Sequence, residues 1–438
     1  MLKKVFNRLL VLTPWAVLLG MLQVNFQQFL PYQRIFKGVH FFDYFTVTDI
    51  FVSLLLVVFV IGWASKQIKF GERKLPKEIK AAILLLMLAG VLQLLFQVKY
   101  EPVLSTPSEY FRGFFIYPIL YFVLMTKVAD DKTVGNTLTS YVYMVMTFCA
   151  VALLQFFSGI FPGDAKDFTG RLTWPYVDFL TLKSSSANWA AFFATPVFIL
   201  SAAHLLRDVI TVKSRRELPR EHWLYAAAFP LTGLVIFFTQ SYGAFVAIFV
   251  ASSLLLFRSL KLKKFLAAFV VLALVAGGVY FLQTQTYKYK ILSGQIDYRF
   301  DNSVASRGDI YRMNAAMILE HPILGVGLNE YQSYFTLKHQ QILGHKYGES
   351  LIPPHAHNFF MSFWTNLGIF GFLGILVLIA GIFSKFKLKP EYPAQFVMLA
   401  IMIHGLIDSY YWRQEIAYTF WIVAAMCYLY RTGKPEKG

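Results

Sequence analysis

Twelve apolar runs, each long enough to cross a lipid bilayer, constrain this chain more than any other feature. A transmembrane helix needs about 20 apolar residues to cross a hydrocarbon core of ~30 Å. The runs cover residues 9–25, 47–64, 79–97, 110–127, 137–160, 187–206, 222–240, 242–257, 264–283, 358–382, 394–410 and 415–430. They predict an all-α, polytopic membrane protein with about twelve transmembrane helices.

The composition excludes a soluble or disordered chain. Of the 438 residues, 57% are hydrophobic and 18% aromatic, whereas only 15% are charged. Soluble domains carry about 25% charged residues, so this chain lacks the charge to cover a water-facing surface. Cys149 and Cys427 both lie inside apolar runs. Two such cysteines build neither a disulfide framework nor a cysteine-based metal site.

The net charge of +17 is a signal of membrane topology. If the N-terminus is cytoplasmic, the whole excess falls on cytoplasmic segments and the outer segments balance to zero, as the positive-inside rule requires. Both termini are then cytoplasmic, and the charge gives no reason to expect a nucleic-acid partner. Lys3, Lys4 and Arg8 precede the first apolar run, which we interpret as an uncleaved signal anchor.

We expect a single membrane domain over residues 1–438. The first nine transmembrane helices lie in 9–283 and the last three in 358–430. Between them, the outer loop 284–357 is too long for a turn, and loops of this length are often functional. We expect it to be ordered and to carry the functional site, with membrane lipids around the rest of the chain.

The outer loop carries its own helix signals. Ser306-x-x-Asp309 resembles a capping box and predicts a helix that continues to about Glu320, where His321-Pro322 ends it. Asn329 is placed to cap a second short helix. We therefore predict a small lid of two helices on the outer face of the membrane.

Polar residues suited to chemistry concentrate in or beside this loop. Arg307 and Arg312 carry guanidinium groups, whose permanent charge and forked donors suit phosphate. His357 is the natural general base near neutral pH. It precedes Asn358, a candidate cap at the start of a span, and a helix N-terminus keeps a histidine neutral and attracts phosphate. His355 lies two residues earlier.

Each of these residues also has a less specific interpretation. A single arginine in a lid is often a solvated charge, and a single histidine at a membrane interface is often structural. The His355-x-His357 pair suggests a metal, but no third ligand follows at helical or hairpin spacing, so we expect no metal and no cofactor. His404 and Asp408 share one face of the eleventh span. Asp408 is either functional, as intramembrane carboxylates usually are, or a partner of Arg413.

Four short motifs follow one another in the last third of the chain. They are Ser306-Arg307-x3-Tyr311, His321-Pro322-x2-Gly325-x-Gly327, His355-Ala356-His357-Asn358 and Gly368-x2-Gly371. Their order and spacing resemble the O-antigen ligase family of bacterial membrane glycosyltransferases. Weaker likeness extends over residues 170–425, through Ala187-Asn188-Trp189, Thr239-Gln240-Ser241-Tyr242-Gly243-Ala244 and His404-Gly405-x2-Asp408.

The resemblance implies a lipid-dependent, GT-C-like architecture in the bacterial inner membrane with a periplasmic site. Family members take a glycan from undecaprenyl diphosphate and transfer it to an acceptor hydroxyl, which for ligases belongs to lipid A–core. The reaction is metal-independent and inverts the anomeric carbon. By the same resemblance, His357 is the general base and Arg307 clamps the diphosphate.

One position departs from the family pattern. The Thr-x-Ser motif is usually followed by an arginine that contacts the diphosphate, and here Tyr242 stands in its place. A tyrosine supplies no charge, so either another cation takes over or the donor differs. Candidate cations are Arg312, Lys183, Arg171 and Arg413. The predicted substrate-binding residues are therefore Arg312, His355, Asn358, Tyr242, Lys183, Arg171 and Asp408.

Within this prediction, we favour ligase activity over repeat-unit polymerase activity. A diphosphate leaving group develops charge that fixed guanidinium groups stabilise, and a positioned histidine removes the acceptor proton. The lipid tail of the donor requires a cleft that opens to the bilayer. A transporter or flippase for lipid-linked sugars, and a non-catalytic scaffold, are the alternatives. Transporters often show paired repeats and broken spans near the midplane. This chain instead concentrates its polar groups in the outer loop, and its two halves look unlike.

Overall fold

The fold is taken from a computed structural model. It describes residues 1–21, 46–97, 100, 107–158, 170–173, 186–211, 218–295, 303–345, 352–384, 388 and 390–432. These residues form helices joined by turns, and no β-strand occurs among them. The prediction of an all-α, polytopic membrane protein is confirmed.

The helices follow the predicted spans closely, and we number them in chain order. They are α1 Leu2–Met21, α2 Val47–Ala64, α3 Lys77–Phe96, α4 Pro107–Phe111, α5 Tyr117–Lys127, α6 Asp131–Ser158, α7 Ala187–Thr211, α8 Arg220–Thr239, α9 Tyr242–Ser259, α10 Leu262–Thr284, α11 Tyr287–Leu292, α12 Ser303–Glu320, α13 Tyr331–Leu343, α14 Phe359–Phe383, α15 Pro393–Gly405 and α16 Gln414–Thr432. A π-helical turn, Arg112–Ile116, joins α4 to α5.

Eight of the described helices are long and apolar enough to cross a membrane: α2, α3, α6, α7, α8, α9, α10 and α14. A ninth, α15, is apolar but shorter. Helical segments also lie at the other predicted spans, in α1, in α4 with α5, and in α16. The count of twelve spans and the GT-C-like architecture remain predictions.

Close packing of the helices forms the main core, and several of the packed pairs are distant in sequence. The principal pairs are α3 with α14, α7 with α8, and α1 with α2 and α6, while α15 packs against both α7 and α9. Helices that follow one another run in opposite directions. One end of the bundle therefore contains the starts of α7, α9, α14 and α16 together with the ends of α8, α10 and α15. We call this the lid end.

The lid, defined as residues 303–345, has a small core of its own. The helices α12 and α13 pack against each other, and Met313, Met317, Tyr334 and Phe335 are fully buried between them. The prediction of two helices in this part of the outer loop is confirmed. A third and shorter helix, α11, was not predicted.

Two glycines fasten the lid to α14. Gly325 has φ +73° and Gly368 has φ +64°, a backbone region that side chains rarely adopt. A Cβ on Gly368 would lie 1.9 Å from the carbonyl oxygen of Ile323, and one on Gly325 would lie 2.5 Å from that of Thr365. The amide of Val326 donates to the Thr365 carbonyl at 2.7 Å. The glycine motifs therefore hold the lid on a kink in α14.

Three local predictions need correction. The first lid helix begins at Ser303, so Ser306 lies inside its first turn and does not cap it. Asn329 does not cap α13 either, because it adopts φ +70°, a left-handed turn conformation that asparagine tolerates. Asp408 is not on a helix: α15 ends at Gly405, and glycine is a poor helix former.

Candidate active site

Asp408 is the centre of a polar cluster at the lid end. It lies in the turn that follows α15, and 3% of its surface is exposed. Its Oδ1 is 2.9 Å from Nδ1 of His357 and 3.6 Å from Nε2 of His355. Its Oδ2 is 3.9 Å from Nη2 of Arg307. One buried carboxylate thus connects three of the residues that the sequence singled out.

The backbone around His357 directs its side chain to Asp408. His357 has φ +47°, and strained backbone of this kind is often found at functional sites. The next residue, Asn358, caps α14, because its Oδ1 accepts from the amide of Met361 at 3.0 Å. Its Nδ2 donates to the Leu406 carbonyl at 3.0 Å. The predicted cap therefore also joins the start of α14 to the turn that holds Asp408.

Arg307 reaches the same turn from the lid. It lies in the first part of α12, and its Nη1 donates to the carbonyl oxygen of Ile407. About a quarter of its side chain (26%) stays exposed. A guanidinium group has five N–H donors, so these contacts leave donors for a ligand.

A hydrogen-bonded chain continues from Asp408 to a second arginine. The side-chain amide of Asn188, at the start of α7, donates from Nδ2 to Oδ2 of Asp408. Its Oδ1 accepts from Nη2 of Arg171 at 3.0 Å, and Arg171 also donates from Nε to the Thr239 carbonyl at 2.8 Å. Asn188 was not among the predicted site residues. Its position in the weaker motif Ala187-Asn188-Trp189 was the available signal.

The surroundings of Asp408 keep it ionised. Burial by itself raises the pKa of this carboxyl, but the facing His357 and the hydrogen bonds from both histidines hold the pKa well below its usual value. Burial and the neighbouring His357 lower the pKa of His355, which favours its neutral form. A carboxylate that accepts from Nδ1 of His357 leaves Nε2 of that ring as the proton acceptor.

The same three residues also resemble an incomplete metal site. Ligand atoms of His355, His357 and Asp408 lie within 4.8 Å of one another, and three protein ligands are usual for catalytic zinc. No third ligand follows at helical or hairpin spacing, but the tertiary structure supplies one in Asp408, which is 51 residues from His357 in sequence. The positive charge of Arg307, 3.9 Å from the carboxylate, opposes a cation at this position and favours the hydrogen-bonded arrangement.

Tyr242 has two cations in its surroundings, the predicted candidate Arg171 and also Lys288, which was not predicted. Nζ of Lys288, from α11, lies 4.3 Å from the centroid of the Tyr242 ring and donates to the Gln240 carbonyl at 2.5 Å. Arg171 contacts the same turn through Thr239. Tyr242 itself begins α9.

The remaining predicted residues are less close to the cluster. Arg312 lies on α12 with an exposed side chain, and no ion pair joins it to another described residue. Lys183 lies outside the described residues. Arg413 pairs with Glu415 at 3.1 Å and stacks on the Trp189 ring. The alternative in which Asp408 pairs with Arg413 is therefore wrong.

The family comparison agrees with the motif likeness. Residues 227–376 match the model of the family described as O-Antigen ligase. This family is glycosyltransferase-like and includes ligases and polymerases, so a transferase activity is supported at that level. No curated protein matches the chain.

The matched range covers only part of the cluster. Arg307 and His357 lie within the matched range, whereas Arg171, Asn188 and Asp408 lie outside it. The buried carboxylate that orients His357 is thus supplied from beyond the matched range. Tertiary contacts, and not the family segment alone, complete the candidate site.

Proposed function

We propose that this protein transfers a glycan from undecaprenyl diphosphate to an acceptor hydroxyl. The observation that carries this proposal is the contact of His357 Nδ1 with the buried Asp408 carboxylate, 2.9 Å apart, with Arg307 beside the same carboxylate. A positioned base and a fixed cation are the two groups that the transfer needs. The family match supports the same class of reaction.

In the proposed mechanism, Asp408 holds the His357 ring with its Nε2 unprotonated. The acceptor hydroxyl gives its proton to Nε2 while its oxygen attacks the anomeric carbon of the donor sugar. The bond from that carbon to the diphosphate oxygen breaks, and the bonding electrons leave with the diphosphate. The Arg307 guanidinium stabilises the charge that develops there. Attack opposite the leaving group inverts the anomeric carbon.

We propose a ligase whose acceptor is lipid A–core, in the bacterial inner membrane with the lid end in the periplasm. The excess of positive charge on the segments assigned to the cytoplasm supports this orientation. A polymerase uses the same base and clamp but takes a second glycan lipid as acceptor. The two reactions give different products, so one assay separates them.

The first prediction concerns the base. Purified protein is supplied with undecaprenyl-diphosphate glycan and lipid A–core in the presence of EDTA, and product mass is measured. Wild type is expected to yield an acceptor of higher mass. His357→Ala is expected to yield none, while it still folds, because the ring that Asp408 orients as the base is then missing.

His345→Ala is the matched control, since His345 is an exposed lid histidine that pairs with Asp309. Its activity is expected to equal that of wild type. Full activity of His357→Ala would exclude the assigned base. If the glycan lengthens on the donor lipid instead, the protein is a polymerase and not a ligase. If EDTA abolishes the activity and zinc restores it, the cluster is a metal site and not a hydrogen-bonded one.

The second prediction concerns the clamp. Both Arg307→Ala and Arg307→Lys are expected to weaken binding of the donor, because lysine keeps the charge but loses the forked donor geometry. The measurement is the Kd of undecaprenyl diphosphate for each purified variant. Arg258→Lys, at an exposed arginine at the opposite end of the bundle, is the control and is expected to bind as wild type does. Donor affinity unchanged in both Arg307 variants would refute the clamp.

A further inference from the structure

A cavity of about 1320 Å³ lies between α7, α8, α9 and α10. The side chains that α10 turns towards it recur every three or four residues, which is the spacing of one helix face. They include Ala268, Leu272, Ala276, Val279 and Gln283. From the first to the last, the cavity follows about 22 Å of helix, most of a hydrocarbon core of ~30 Å. An apolar space of this length fits a hydrocarbon chain.

The wall on the bilayer side is a single helix. The opposite face of α10 is exposed along its length, for example at Val270, Leu274 and Phe281. Its main packing partner is α9, the helix before it in the sequence. A chain entering from the bilayer therefore has only one helix to pass.

The lid end of the cavity is lined by tyrosine rings, and a lysine lies beside one of them. Tyr242, Tyr280 and Tyr289 line this end, and the hydroxyl groups of the last two lie 3.2 Å apart. Lys288 holds its ammonium group 4.3 Å from the centroid of the Tyr242 ring. A cavity that is apolar along its length and positively charged at one end matches an amphiphile with an anionic head.

This charged end is separated from the candidate catalytic cluster by one turn, residues 239–243. Lys288 donates to this turn at the Gln240 carbonyl, and Arg171 donates to it at the Thr239 carbonyl. On the other side, a Cβ on Gly243 would lie 2.7 Å from Cδ2 of His404. The backbone carbonyl of His404 accepts a hydrogen bond from the amide of Asp408 at 3.1 Å. A head group at Lys288 is therefore close to the cluster.

We propose that this cavity holds the polyprenyl chain of the donor and that Lys288 supplies the positive charge that Tyr242 lacks. The lysine comes from α11, a different element from the one that carries the Tyr242 position. This inference rests on the proposed function, because it takes its occupant from the donor named there. It adds where the lipid lies and which residue replaces the missing arginine.

The charge is tested by direct binding of undecaprenyl diphosphate, without a glycan, to the purified full chain. Lys288→Met removes the charge and keeps an apolar side chain of similar length. It is expected to weaken binding about tenfold or more, as for the loss of a charge-assisted hydrogen bond. Lys290→Met is the matched control, because Lys290 is two residues along the same short helix and so on its other side, away from the Tyr242 ring that Lys288 contacts. This variant is expected to bind as wild type does. Equal affinity of both variants would overturn the role of Lys288.

The cavity is tested with an undecaprenyl diphosphate that carries a photoreactive diazirine on its tail. Crosslinks located by mass spectrometry are expected on α9 and α10. Ala276→Trp places a large side chain in the cavity and is expected to abolish them, whereas Gly277→Trp, at a position with open space around it, is expected to keep them. Crosslinks on helices that do not line the cavity, or equal displacement of the probe by phosphatidylglycerol, would overturn the proposal.

These results are independent of the transfer assay. Crosslinks outside the cavity in a protein that transfers glycan would overturn this inference and leave the proposed function standing. Crosslinks inside the cavity of a wild type that transfers nothing would support the lipid site and refute the transferase.

Discussion

At the scale of single residues, the candidate site depends on how one carboxylate is shared. Asp408 accepts from His357 and Asn188, and it also lies near His355 and Arg307. A buried charge is costly unless it is paired and hydrogen-bonded. The same pairing sets which nitrogen of His357 accepts a proton, so stability and reactivity are connected at this residue.

The third prediction follows from this sharing. Asp408→Asn keeps the size of the side chain but removes the charge that holds the His357 tautomer. Turnover is expected to fall by about 10²-fold or more, within the range for loss of general base catalysis. The measurement is kcat with lipid A–core as acceptor, and donor affinity is expected to change less than kcat.

Asp309→Asn is the matched control for this substitution, since Asp309 lies on the lid and pairs with the exposed His345. Its kcat is expected to stay near that of wild type. If Asp408→Asn turned over substrate as fast as this control, the carboxylate would have no part in orienting His357.

At the scale of elements, the lid is held by backbone contacts that only glycine permits. Gly368 breaks the regular helix within α14, with φ +64° and ψ −162°, and the 321–325 segment packs into the resulting kink. The amide of Ile369 donates to the Pro322 carbonyl at 3.0 Å, and Nε1 of Trp364 donates to the same oxygen at 3.1 Å. Because Arg307 is carried by the lid, this kink also determines where the clamp lies.

The fourth prediction tests the kink. Gly368→Ala is expected to destabilise the docked lid by roughly 1–3 kcal/mol from backbone strain, before any clash with the Ile323 carbonyl. The expected results are a lower thermal midpoint in detergent and faster proteolysis within the lid. Gly277→Ala, in a regular helix with open space around it, is the control and is expected to be neutral or stabilising.

A Gly368→Ala protein that kept the thermal midpoint and the protease resistance of the Gly277→Ala control would contradict this account of the lid. Such a result would mean that the α14 kink does not determine how the lid docks.

The π-helical turn between α4 and α5 is a second element with a physical cause. The turn begins at Arg112, whose side chain is buried (1% exposed) and lies 3.4 Å from Asp49 on α2. Gln414, at the start of α16, donates to the other oxygen of Asp49 at 2.6 Å. Insertions of this kind in a helix often mark a specific requirement. Here the turn places a buried cation against a buried carboxylate of opposite charge.

At the scale of the whole molecule, one face of the bundle collects chemistry from five separate parts of the chain. Arg171 precedes α7, Asn188 begins it, Arg307 lies on the lid, His357 precedes α14, and Asp408 follows α15. All of these positions are helix ends or connections at the lid end. The alternating direction of the helices therefore assembles the candidate site.

The fifth prediction concerns the orientation of that face. In intact bacterial cells, Gln341→Cys on the exposed surface of α13 is expected to react with a membrane-impermeant maleimide. Lys69→Cys, in an exposed loop of the opposite end, is expected to react only after the membrane is opened. The native Cys149 and Cys427 are buried and give a low background.

The reverse labelling pattern would place the lid in the cytoplasm, against the distribution of positive charge. A periplasmic transferase would then be excluded, whatever the chemistry of the cluster.

Much of this organisation was predictable from sequence, because apolar runs and helix caps act over short distances. The eight helices that can cross a membrane all coincide with predicted spans, and the lid helices end and begin near the expected residues. The motifs around Arg307 and His357 also led to the family that the comparison confirms. Each apolar run, each helix cap and each single motif lies within about thirty consecutive residues.

Other features were decided by tertiary structure alone. The partner of His357 is 51 residues away, and the second contact of Asp408 comes from Asn188, 220 residues away. Lys288 reaches Tyr242 from another helix, so no motif containing Tyr242 could reveal it. Periodicity and spacing describe neighbours along one element, whereas these contacts depend on how helix ends meet across the bundle. The sequence by itself determined the helices and the class of chemistry, and packing determined which charges face one another.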